Sequence, residues 1–343
     1  MKIVRKLVPY GKKKILANLM QASGVNLALL GLPSWSGLLV VNYHRIGSRE
    51  TCPFDGNLYS ATAERLETQL RQYKRYGDVV SIDDLDEVVA GKPGKHILIT
   101  FDDGYRDNYD LAFPVLKQVG VPATFFIATG FIDRPHVAWW DEIAWIIRNA
   151  KVPALPVSRW FDHGLEISPE DPRPAIAKAV GVYWGLRGTA TEEYLDDLAR
   201  QTGSGRCGPE LAQDLWMTWD MVREVAEAGI DIGGHTISHP ILARQDLERQ
   251  REEIFGSYQR LEAQLGQAPK AFSYPVGQPD MFTEETKQLV HEAGYQYAFS
   301  FYGQYESMVA IDRFNIPRCA VDFDLSPAIL QSRLTLPQVF ARK

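Results

Sequence analysis

Two adjacent carboxylates and two imidazoles carry the chemistry legible in this 343-residue chain. Asp102 and Asp103 close the apolar run 97–101 and are followed by Gly104. His235 and His239 sit four residues apart in His235-Thr236-Ile237-Ser238-His239. If they share a helical turn, that spacing points both rings the same way. Two imidazoles and one carboxylate leave an open position on a zinc-like ion, the pattern of a catalytic rather than a structural site. The other aspartate is then free to act on the bound water.

Residues so far apart need a scaffold that gathers them. Strand-like apolar runs at 38–43, 79–80, 97–101, 123–127, 230–232, 271–274 and 297–300 alternate with helical patterns over 62–76, 85–90, 108–119, 218–228, 247–265 and 283–293. This alternation predicts a parallel sheet with helices outside it, either open or closed into a barrel. The candidate polar groups all fall at C-terminal strand ends. His44 and Arg45 follow the first run, Asp102 and Asp103 the run 97–101, and His235 the run 230–232. Pro275 follows 271–274, and Arg318 follows a short candidate strand at 314–316. In parallel α/β folds those ends share one face, where active sites form.

Segment 131–215 breaks the rhythm. It holds Trp139, Trp140, Trp145, Trp160 and Trp184 and a Pro-rich, acidic stretch over 167–173. A mainly helical insertion is expected, serving as a lid or one wall of a cleft. Trp139, Trp140 and Asp141 are candidates to wall that cleft, or alternatively to anchor the insertion to the barrel.

Bulk properties narrow the function classes. A hydrophobic content of 45% is enough for a large core. The formal charge of -6 argues against general nucleic-acid binding. Cys52, Cys207 and Cys319 are widely spaced and odd in number, which favours a reducing compartment. Segment 1–37 is basic and amphipathic, with no signal-peptide pattern and no unbroken apolar span. It either lies on an anionic membrane face or packs on the barrel as an ordinary leading helix. The expected location is therefore cytoplasmic, with peripheral contact at the inner membrane face as the further alternative.

Thr100-Phe101-Asp102-Asp103-Gly104 and His235-Thr236-Ile237-Ser238-His239 resemble the first and second motifs of the polysaccharide deacetylase family, the NodB-homology or carbohydrate esterase family 4 enzymes. The resemblance covers about 38–130 and 216–321 and implies a distorted (β/α)7 TIM-like barrel, here spanning 38–330 with 131–215 inserted. It implies Asp102 as catalytic base, Asp103, His235 and His239 as ligands of Zn2+ or another divalent metal, and an N-acetylated carbohydrate as substrate. The backbone N–H of Tyr105 is a candidate oxyanion donor, and Arg45, Tyr274 and Pro275 complete the expected substrate contacts.

Two departures stand out. The family's third motif commonly has an arginine that orients the catalytic aspartate, where this chain has Ser273. The family's late histidine, its general acid, is missing, since no histidine follows His291. Arg318 or Arg45 is expected to orient Asp102, and His44 to donate the proton. Two alternatives remain open at this stage: a sugar-binding or scaffolding domain with impaired turnover, and a carbohydrate O-acetyl esterase.

Overall fold

The structure is a computed structural model and describes residues 10–303, 305–307 and 311–341. Seven parallel strands close on themselves: β1 (Gly37–Tyr43), β2 (Lys95–Phe101), β3 (Thr124–Ile127), β4 (Asp231–Gly234), β5 (Ala271–Ser273), β6 (Tyr297–Ser300) and β7 (Ile316–Ala320). Each pairs with the next in chain order, and β7 returns to β1 with Val40 opposite Arg318. This is the distorted (β/α)7 barrel that the family resemblance implied. Its irregularity comes partly from two extra segments. Asp78–Val80 borders the first half of β2, and Glu306–Ser307 runs antiparallel to the start of β1.

Period-2 alternation explains the barrel's two kinds of surface. Leu39, Val41, Ile97, Ile99, Phe101 and Phe125 join the cluster that packs against the outer helices. Leu38, Val40, Leu98, Phe126, Phe299 and Ile316 form a separate cluster on the inner side. Carrying the inward register two residues further places Asn42, Thr100, Ser273 and Arg318 at the C-terminal end, all buried. The interior is therefore apolar below and polar at its mouth. At Gly233 a Cβ would lie 2.5 Å from the Phe126 ring, so β4 has no room for a side chain there.

The helix expected over 108–119 begins differently. Asn108–Ala112 is a π-helical turn, and the α-helix proper is Phe113–Val119. Pro114 has no N–H for the carbonyl of Asp110, and the ladder widens at that point.

Two helices lead the described chain, α1 (Tyr10–Ala22) and α2 (Val25–Leu30). Ala17, Met20 and Leu30 join the main core, and Asn26 donates to Ser332 Oγ at 3.1 Å. Residues 1–9 of the predicted basic segment lie outside the described residues. Among the described residues no helix is long and apolar enough to cross a membrane.

The insertion is mainly helical. It contains α3 (Trp139–Arg148), α4 (Arg173–Tyr183), a further helix Ala190–Thr202, and a short antiparallel pair, Ala154–Leu155 with Leu165–Glu166. Ile143, Ile147, Phe161, Ile176, Tyr194 and Leu198 give it a core of its own.

Candidate metal centre at the barrel mouth

The strand ends open into a cavity of about 300 Å³ whose lining includes His44, Asp102, Asp103, His235, His239 and Arg318. Asp103 Oδ1 lies 3.3 Å from His235 Nε2 and 3.5 Å from His239 Nε2. All three residues are buried, and their donor atoms lie within 4.8 Å of one another. Donors bound about 2.1 Å from a tetrahedral ion stand about 3.4 Å apart, so this spacing fits one divalent metal. His235 Nδ1 donates to the Ser273 carbonyl at 2.7 Å, which leaves Nε2 as the free lone pair.

The electrostatics also fit a cation. Burial pulls the His235 imidazole down, yet Asp102 and Asp103 outweigh it and raise its pKa above the ordinary value. A second positive charge is disfavoured: burial and the neighbouring His235 hold His239 down to about 3. Burial pushes the Asp103 carboxyl up, but hydrogen bonding to His235 and the charge of His239 bring it below its usual value.

The two histidines do not share a helical turn, which corrects the reading from their spacing. His235 leaves β4 directly, and the chain then makes a tight loop with Thr236 at φ 67° and His239 at φ 56°. That loop is held from outside. Ile237 N and Ser238 N both donate to Glu253 Oε2 at 2.8 Å, and Glu253 is fully buried on α5 (Leu247–Leu265). Gly130 N donates to the Ile237 carbonyl at 2.8 Å, and a Cβ at Gly130 would stand 2.7 Å from that oxygen. Asp103 is itself left-handed, at φ 77°, so the two aspartates leave β2 in different directions.

Asp102 points into the polar mouth. Arg318 grips it with Nη1 to Oδ1 at 2.7 Å and Nη2 to Oδ2 at 2.8 Å. The same guanidinium donates to Ser273 Oγ, Asn42 Oδ1 and the Ser300 carbonyl. Ser273 thus leaves room for an arginine that arrives from β7 instead of β5. Burial raises the Asp102 carboxyl, but Arg318 and then His235 outweigh it and hold it well below the carboxylate range.

Of the other predicted residues, His44 faces the same cavity with Nε2 3.9 Å from Asp102 Oδ2. Its ring meets the edge of Phe301. Arg45 does not reach Asp102: its Nε donates to Asp107 at 2.9 Å, and its guanidinium lies between the Tyr59 and Tyr105 rings. The Tyr105 side chain is buried away from the cavity, stacked on Trp216 and donating to Asp141 at 2.7 Å. Tyr274 lines the cavity and donates to the Phe314 carbonyl; Pro275 is not part of the lining, whereas Val276 is. Trp139 and Trp140 line it too, with Trp139 Nε1 donating to the His239 carbonyl at 3.2 Å and the Trp140 ring 4.3 Å from the imidazole. Val180 and Trp184 of the insertion complete that wall.

Three supporting groups escaped the sequence reading. Asn42 and Thr100 were legible as lone polar residues at the inward register of apolar strands. Glu253 had no such signal, being one acid among many on a charged helix. Asp141 was legible only as the residue that follows the tryptophan pair. It is fully buried, and burial raises its carboxyl to about 7 despite Arg45 and the Tyr105 hydrogen bond.

Solved structures share this architecture. Streptococcus pyogenes deacetylase PplD, solved with acetate, aligns with a TM-score of 0.57 and 18% identity, covering 88% of this chain and 97% of that one. A de-N-acetylase from Aggregatibacter actinomycetemcomitans aligns at 0.55 and 17%, covering 84% and 96%. At these identities the likeness is one of fold. In sequence, Bacillus subtilis (strain 168) YxkH is 26% identical over 202 residues, 59% of this chain and 43% of that protein. The poly-β-1,6-N-acetyl-D-glucosamine N-deacetylase of Escherichia coli (strain K12) is 24% identical over 157 residues, 40% and 23%. The chain thus spans less than half the length of either curated relative. The polysaccharide deacetylase family model matches residues 90–169 and 182–298, more than half of this sequence, and the chain belongs to that family.

Proposed function

We propose that the protein is a metal-dependent hydrolase that removes N-acetyl groups from an amino sugar in a polysaccharide or its precursor. The observation carrying this reading is the buried Asp103–His235–His239 set beside an Arg318-held Asp102 in one walled cavity. The E. coli relative's name supports a poly-N-acetylglucosamine substrate. Two imidazoles and a carboxylate suit Zn2+. An ion held there supplies Lewis acidity to the acetyl carbonyl and a lowered pKa to water.

Asp102 takes the proton from water as the water oxygen bonds to the acetyl carbon. Arg318 keeps its carboxylate ionised and aimed. The Tyr105 backbone N–H is the proposed oxyanion donor. His44 gives a proton to the sugar nitrogen as the C–N bond breaks. Trp139, Trp140 and Tyr274 wall the sugar, and segment 131–215 acts as a cleft wall on the 38–330 barrel. Free thiols at Cys52 and Cys207 support a reducing, cytoplasmic setting. Arg318 beside Ser273 answers one of the two grounds for an impaired domain.

The test is acetate release from β-1,6- and β-1,4-linked N-acetylglucosamine oligomers. Chelation should lower release at least about 100-fold, and Zn2+ should restore it. Sugar binding without release from zinc-loaded protein would favour the impaired-domain reading, and release only from O-acetylated sugars the esterase reading.

The role of His44 has its own signature. An amine must be protonated as it leaves, whereas a phenolate need not be. His44→Ala is therefore expected to lose about 100-fold on an oligosaccharide and much less on an aryl acetate. Equal losses on both would make His44 a positional residue.

A further inference from the structure

Exposed apolar surface is concentrated at one place on this molecule. Among the described residues, six of the nine large apolar side chains that are exposed lie in α1, in α2 or just beyond α2: Ile15, Leu16, Leu19, Val25, Leu27 and Leu32. They are not the hairpin's core face. On α1 that face is Lys13, Ala17 and Met20, at helical spacing, whereas Ile15, Leu16 and Leu19 share a different face. Ile15, Leu19 and Leu27 are each more than 60% exposed, so nothing in the described chain covers them.

Charge is partitioned the same way. The first 37 residues contain Lys2, Arg5, Lys6, Lys12, Lys13 and Lys14, and the first acidic residue of the chain is Glu50. The remaining sequence holds 31 basic and 43 acidic residues. Lys12 lies in line with Ile15, Leu16 and Leu19 at the start of their face, Lys14 lies beside it, and both lysines are exposed. A second copy of this acidic chain would also attract the lysines, but it offers no apolar layer for the side chains beside them. An anionic lipid surface answers both features, because it accepts apolar side chains below its headgroups and attracts each lysine with about 1 kcal/mol.

We propose that the α1–α2 hairpin docks the protein peripherally on an anionic bilayer. The residues that close the hairpin meet the barrel at the end opposite the metal centre. The Leu30 and Leu32 carbonyls accept from Lys95 at the start of β2, whereas Asp102 lies just past that strand's C-terminal end. The inference does not depend on hydrolysis, and it is read without turnover.

The experiment is co-sedimentation of the full chain with phosphatidylcholine vesicles with and without 30 mol% phosphatidylglycerol, at low and high salt. Binding is expected only to the anionic vesicles, weakened at least about tenfold by 0.5 M salt or by Lys12→Gln with Lys14→Gln. Ile15→Ser with Leu19→Ser and Leu27→Ser should also weaken it at least about tenfold, with an unchanged melting temperature because those side chains are already in water. The proposal is overturned if the wild type stays in the supernatant, or if the serine variant binds as well as it does. It is equally overturned if the wild type is a dimer that the serine variant dissolves, which would make a second copy the occupant.

Discussion

An Asp102→Asn protein is expected to retain its divalent ion and to release acetate at least about 100-fold more slowly than wild type, the usual scale for a positioned base. The residues placed to hold the ion are Asp103, His235 and His239, so the substitution leaves all three in place. The amide retains an acceptor for Arg318 but cannot take a proton. It also removes the counter-charge of a fully buried guanidinium, so a lower melting temperature accompanies the loss. Metal content measured beside the rate separates the two effects. Near-normal acetate release from metal-replete Asp102→Asn would move the base elsewhere.

Removing the other half of that pair should unsettle the fold itself. Arg318→Met leaves a buried carboxylate without its partner, an arrangement that costs about 3–5 kcal/mol. The pH dependence distinguishes this from simple loss of packing. In the wild type the Asp102 pKa is depressed, so its contribution to stability is present above the unfolded value near 4 and is lost as pH falls. In Arg318→Met, burial is opposed only by the histidines and the Asn42 and Ser273 hydrogen bonds, and the folded pKa moves upward. A raised carboxyl destabilises as pH rises through 4, so the difference between the two proteins should widen from acid to neutral pH. Denaturant titrations in chelator at several pH values check this. Adding Asp102→Asn to Arg318→Met should recover about 1–3 kcal/mol, the scale of coupling between contacting groups. A constant difference across pH, or strictly additive losses, would assign Arg318 a packing role alone.

Much of the barrel and the metal-ligand set were readable before any coordinates. Strand and helix periods depend on neighbours in sequence, so Leu38 to Tyr43 or Ile97 to Phe101 announce themselves locally. Ligand chemistry is also local in kind: an aspartate pair at a strand end and two histidines after another limit the options. What brings them together is not local. Arg318 grips Asp102 across 216 positions only because β7 closes onto β1 with Val40 opposite Arg318. His239 turns toward Asp103 through left-handed backbone and a buried Glu253, where its four-residue spacing suggested a helix. Arg45, equally well placed in sequence, is diverted to Asp107. The chain by itself determined which chemical groups sit at strand ends; barrel closure, loop handedness and long-range register decided which of them meet, because those depend on contacts between segments that no local pattern encodes.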